Sequence, residues 1–128
     1  LIAPESPDQA AIASTAGQAL FQGKFRKDLK DSDALHWGEG ELFIGQQQIA
    51  FEGKLAPGPD YRLYLSPKFV ETEADFHALK PRMVDIGAVR TFDNFMVAVP
   101  DDVDPGQYKA AIVWCESFEQ FITAAAYQ

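Results

Sequence analysis

From Gly17 onward, short apolar or alternating runs are broken at intervals by Gly, Pro, Asp and Asn, the spacing of strands in a sandwich or barrel. Residues 19–25 alternate loosely and predict a first strand, with a polar connection over 27–34. His36, Trp37, Gly38, Glu39 and Gly40 read as a turn, and residues 41–44 and 48–52 as a hairpin across Gly45, Gln46 and Gln47, with Ile49 and Phe51 on one face. Pro57, Gly58, Pro59 and Asp60 form a strong turn signal before an alternating strand, Tyr61, Arg62, Leu63, Tyr64 and Leu65, which Ser66 and Pro67 end. Residues 71–80 alone in this part have helical character: Thr72 is the cap, Phe76 and Leu79 lie three apart, and Pro81 terminates. Strands at 83–87 and 95–100 flank a turn at 92–94, and 101–106 is a polar turn. Residues 108–115 predict the central strand, small, β-branched and aromatic, and 121–127 the closing one. Phe118 and Phe121 are expected to anchor the chain to the core on the far side of Cys115.

Residues 1–16 are rich in Ala, Ser, Pro and Thr, the composition of a leader or tether. Ser6 as N-cap, Pro7 at the first helical position and Gln9 reaching back would start a helix through the alanines, marginal on its own. The segment is read as a linker into a single domain over 17–128. The fold class predicted is all-β, an antiparallel two-sheet β-sandwich with a short helix or irregular insertion around residues 71–81.

A chain of 128 residues that is 47% hydrophobic, with 10 Phe, 4 Tyr and 2 Trp, is long enough to bury an aromatic-rich core without disulfides or metal. The formal net charge of -8 leaves no basic stripe for phosphates, which argues against nucleic acid and against contact of the domain itself with anionic membrane. One cysteine permits no intramolecular disulfide, so the redox compartment stays open. The chain begins at Leu1 rather than Met and reads as a piece whose upstream part was removed. Its apolar stretches are too short and interrupted for a membrane span. No Gly-rich phosphate loop, paired-cysteine metal spacing, His-Glu-x-x-His helix or Gly-x-Ser-x-Gly elbow is present.

Gly23, Lys24 and Phe25 followed by His36 to Gly40, then Gly58 through Pro67, then Val84 to Gly87 with Asn94, Phe95, Val99 and Pro100, then Tyr108 through Trp114 and Cys115 with Phe118 and Phe121, together resemble the family called DM thirteen. That family is described as an electron-transfer domain, found beside DOMON domains in Skeletor-like animal proteins and alone in bacterial exported proteins. The motifs keep the family's order across nearly the whole chain after the leader. Ile122 departs from it, standing where the family often has a glycine, and residues 71–80 look like a local insertion. The resemblance implies a DOMON-like β-sandwich outside the cytoplasm, periplasmic or secreted, tethered through an N-terminal segment that has been removed. It also implies a redox partner or another extracytoplasmic protein, and a cysteine acting as a redox thiol or as a haem or metal ligand.

Read from the residues alone, a cysteine ending an apolar strand is a packing residue; read with the resemblance, Cys115 is the redox thiol or ligand. A reactive thiol needs a cation nearby. Arg62, Lys109 and His36 are the candidates for that, while Trp114, Phe118, Glu116 and Glu119 work against activation. His36 is the possible partner of Cys115 at a metal or haem iron, or it merely fixes the turn before Gly38. A closed zinc site needs four ligands, and the chain offers one Cys, His36 and His77. His77 is expected to face water. Asp60 is expected to organise its turn through its own backbone, and Arg62 to pair with Asp60 or Asp85 or to be solvated; both are read as supporting the site together with Trp114. Trp37 and Tyr64 are either a ligand-facing aromatic surface or core.

Taken with the resemblance, these residues imply an extracytoplasmic redox or electron-transfer domain built on Cys115. The alternative is a non-catalytic protein- or glycan-binding sandwich in which the cysteine is buried and inert. No nucleophile, base and orienting group occur in a pattern that makes the chain a self-sufficient enzyme.

Overall fold

The computed structural model describes residues 4–128 as two antiparallel four-stranded sheets packed face to face. β1 (Phe21–Phe25), β2 (Gly38–Ile44), β3 (Gln48–Leu55) and β6 (Asn94–Ala98) form one sheet in the order β1-β2-β3-β6. The other holds β4 (Tyr61–Ser66), β5 (Val84–Val89), β7 (Ala110–Cys115) and β8 (Gln120–Ala126), in the order β5-β4-β7-β8. The fold is therefore the all-β sandwich the residue pattern predicts, with β7 inside its sheet.

Alternation along the strands sorts side chains between the layers. On β7, Ala111, Val113 and Cys115 enter the core between the sheets, while Ile112 and Trp114 point outward. Phe25, Phe51 and Phe95 line the inner face of the first sheet, with ring centroids 5.2 and 5.0 Å apart. Leu63, Leu65 and Val113 meet them from the second sheet. Such ring pairs add about 0.5–1.5 kcal/mol each beyond the area they bury.

The outer face of the second sheet is also apolar, and α2 (Glu73–Leu79) covers it. Thr72 caps this helix by accepting from the Asp75 N–H at 3.0 Å. The chain then passes Pro81 in a 3-10 turn over Lys80–Arg82. Phe76 stacks on Trp114 at 3.8 Å and meets the edge of Tyr64 at 5.2 Å. Tyr64 is thus part of this outer layer rather than a ligand-facing surface.

The N-terminal segment carries α1 (Gln9–Gly17). Its cap is Asp8, whose carboxylate accepts from the Ala11 N–H at 2.8 Å, and not the expected Ser6. With Asp8 in that role Pro7 lies outside the helix, where its missing N–H leaves no gap. Ile12 and Thr15 are buried, and the Gln9 amide donates to Glu52 on β3.

Gly38 to Gly40, expected in a turn, instead begins β2. Gly40 faces Gly53 on β3, with φ of +145° and +157°. A Cβ on either would run into backbone of the facing strand and the ring of Phe51, so the pair lets the ladder continue under that ring. Among the described residues no helix is long and apolar enough to cross a membrane.

Candidate functional site

β4 and β7 pair so that Tyr61 lies opposite Cys115. Both point inward, at the end of the sandwich where β4 starts and β7 stops. Cys115 is 3% exposed, and its thiol donates to Pro59 O at 3.0 Å. The loop before β4 and the hairpin after β7 are laced together beside it. Glu116 N–H donates to Asp60 O at 3.0 Å, and the Ser117 hydroxyl donates to the Asp60 carboxylate at 2.6 Å. Asp60 holds this position at φ 60°, a left-handed conformation that Asp tolerates better than most residues. The Asp60 carboxylate thus bonds Ser117 rather than its own turn, and Asp60 ties the turn to the residues that follow the cysteine.

Tyr61 supports the same corner. Its hydroxyl donates to Ala56 O at 2.6 Å, and burial, with the neighbouring Cys115 adding to it, pushes its pKa up to about 12. The phenol therefore stays a donor at any ordinary pH. The ring packs against Gly58, where a Cβ would lie 2.6 Å from the hydroxyl.

Cys115 borders a cleft of about 490 Å³ that His36 also lines. Pro57, Gly58 and Pro59 form one wall, and Leu35, Phe118, Gln120 and Ile122 lie around the rest. The volume falls within the range of small-molecule sites, and no Lys or Arg is among the lining residues. His36 closes a tight turn with Asp33, whose backbone N–H donates to His36 O at 2.8 Å. The Asp33 carboxylate takes the Leu35 N–H and meets His36 Nδ1, each at 2.8 Å. The Leu35 amide, followed by His36, holds the Asp33 carboxyl below the usual carboxylate range. With the proton on Nδ1, Nε2 keeps the ring's free lone pair, able to accept a hydrogen bond or to ligate.

The remaining candidates lie apart from the cleft lining. Trp114 is on the opposite face of β7, under α2. Arg62 pairs with Asp85 at 3.1 Å, one of its two expected partners. It lines a neighbouring cavity of about 630 Å³ that shares Pro57, Gly58, Pro59 and Tyr61 with the first. Half-exposed His77 faces Glu119 at 3.8 Å, and Lys27 lies over the Trp37 ring at 4.3 Å. Phe121 is fully buried, but Phe118 is 66% exposed and does not anchor the core. Four residues separate the paired Cys115 and Gln120, and Phe118 stands at the tip of that hairpin, beyond the sheet that would cover it. Ile122 sits at a bulge in β8, where the register steps from Thr123 to Phe121. The extra residue turns Ile122 inward as well.

Leu35, the 57–59 wall, Gln120 and the bond from Asp33 to His36 lay outside the residues singled out from sequence. The one available signal was Pro-Gly-Pro, which reads as a turn and becomes a wall only once β4 is paired with β7.

The sandwich thus ends in an apolar cleft whose lining holds one thiol and one carboxylate-held imidazole. Residues 24–127 match the family described as "Electron transfer DM13", and the chain belongs to that family. Neither the curated proteins nor the solved structures yielded a match to the chain.

Proposed function

We propose that this domain carries electrons outside the cytoplasm, with Cys115 Sγ and His36 Nε2 as the protein's ligands to a redox prosthetic group in the cleft. The observation that carries this is that the chain's one cysteine and a carboxylate-held histidine line the same apolar cleft. The extracytoplasmic setting rests on the family resemblance alone.

The donor set selects the kind of group. Among the described residues no three His, Cys, Asp or Glu side chains stand together to hold a bare metal ion. Two protein ligands suit a haem-like macrocycle, which would supply a one-electron couple when bound. The chain's own residues do the rest. Asp33 orients the His36 ring through Nδ1. To hold such a group Cys115 would give up its proton to solvent and its bond to Pro59 O, so the 57–60 loop is the part that would yield. Tyr61 and Ile122, both buried, give the cleft an apolar floor, where electrostatic interactions are stronger than in water. A free nucleophilic thiol is less well supported, because activation calls for exposure and a nearby cation, and Cys115 is 3% exposed in a cleft lined by neither Lys nor Arg.

One observation favours a second reading. The Cys115 thiol is buried and already satisfied by Pro59 O, as an inert core cysteine in a polypeptide- or glycan-binding module would be. A haemin titration of the purified protein followed by absorbance separates the two. The electron-transfer reading predicts a saturable Soret band, lost in Cys115→Ser and shifted in His36→Ala. A featureless titration, unchanged by either substitution, supports the binding module.

A further inference from the structure

Single apolar side chains on a surface need no explanation, whereas clustered ones do. Among the described residues the two most exposed large hydrophobics, Leu35 at 74% and Phe118 at 66%, border the same cleft. They reach it from different parts of the chain. Leu35 sits on the turn that Asp33 closes, with its N–H held by the Asp33 carboxylate at 2.8 Å. Phe118 sits on the hairpin whose Ser117 is bonded to Asp60 at 2.6 Å. Both turns are braced in positions that hold the apolar side chains outward.

The polar groups on these same turns are mostly acidic. Asp33, Asp60 and Glu119 are exposed and Glu116 is half-buried. Lys80 reaches Glu116 and His77 reaches Glu119, each at 3.8 Å, so the rim keeps a negative excess within a molecule of net charge -8.

We propose that this mouth is the docking surface for the domain's electron partner, a basic protein presenting an apolar patch ringed by Lys or Arg. The electron-transfer reading supplies the reason a partner comes here. The contact itself does not depend on which group the cleft holds. An acidic rim steers a basic partner in, and a small apolar centre gives the brief, modest contact typical of redox encounters. A second copy of this chain is disfavoured, since a two-fold contact sets Asp33 and Glu119 against like charges. An anionic membrane is disfavoured for the same reason.

The test is an NMR titration of the 15N-labelled chain with a basic c-type cytochrome as probe and an acidic flavodoxin as the like-charged control. Shifts are expected over 33–36, 57–60 and 116–120 with the cytochrome and none with the flavodoxin. The Leu35→Ser/Phe118→Ser double variant, altered only at exposed side chains, binds about tenfold more weakly or worse. Glu119→Lys weakens binding at low ionic strength and much less at physiological salt. Shifts confined to another face, equal binding of both probes, or wild-type affinity in the double variant overturns the proposal. So does concentration-dependent shifting without a probe, which assigns the patch to a second copy. The haemin titration keeps the two failures apart. Docking without haem binding removes the cofactor reading and leaves the surface standing; haem binding without docking does the reverse.

Discussion

A methyl group added at Gly58 would sit 2.6 Å from the Tyr61 hydroxyl and 2.9 and 3.0 Å from its ring carbons. That ring has no easy retreat, being bonded to Ala56 O and set edge-on to Phe92 at 5.7 Å. Gly58→Ala therefore moves the ring or the 57–59 wall, and the wall carries the Pro59 oxygen that holds Cys115. The expected cost is about 1–3 kcal/mol, seen as a lower urea midpoint at unchanged m-value, together with faster alkylation of Cys115. Lost stability with unchanged thiol access would mean that the wall does not guard the cysteine. At this scale the sequence was half legible. Cys115 and His36 stood out by residue type, and Asp60 by its turn chemistry. Phe118 misled, because a four-residue hairpin tip has no period by which inward and outward positions are told apart. Asp33 went unnoticed because only the folded turn brings its carboxylate to His36.

The elements were legible where local chemistry is strong. Tyr61–Ser66 alternates between Pro-rich signals, and Glu73–Leu79 carries its own cap and stop. They were less legible where a distant strand decides, as at Gly40, whose conformation makes sense only opposite Gly53. Helix α2 offers a test of how firmly it is docked. The Glu73 carboxylate accepts the Phe121 N–H at 3.2 Å, while Asp31 accepts the Glu73 N–H at 2.6 Å. Burial, then the Asp31 charge, raises the Glu73 pKa above its ordinary 4.5. A carboxyl with a raised folded pKa binds more protons folded than unfolded. Its contribution is fully present below pH 4.5 and is lost as pH rises through the raised value. Glu73→Gln keeps an acceptor for Phe121 and removes this loss. Its stability profile should be flatter above pH 4.5 and slightly higher at neutral pH, measured by urea unfolding across pH. A profile parallel to wild type would show that Glu73 is solvated and uncoupled from Asp31.

For the whole molecule, the two helices and the two sheets divide the work. α2 shields the outer face of the second sheet, α1 buries Ile12 against the first, and the inner faces form the main core. What stays open is the end where β4 begins and β7 stops, and the cleft lies there. No local pattern announces this, because Leu35, Gly58, Cys115 and Gln120 meet only through long-range pairing such as Tyr61 with Cys115. The sandwich class was legible from strand spacing, the strand order was not, and the cleft follows from the order. Electron transfer through this cleft requires a cysteine that the native fold exposes on demand and that a bound group covers. The most direct measurement is the alkylation rate of Cys115 in the native protein, with and without saturating haemin, beside the rate of global unfolding. Native alkylation is expected to run far faster than unfolding, through opening of the 57–60 loop, and to be suppressed by haemin. Alkylation only at the unfolding rate, indifferent to haemin, would make Cys115 a core residue and contradict the account.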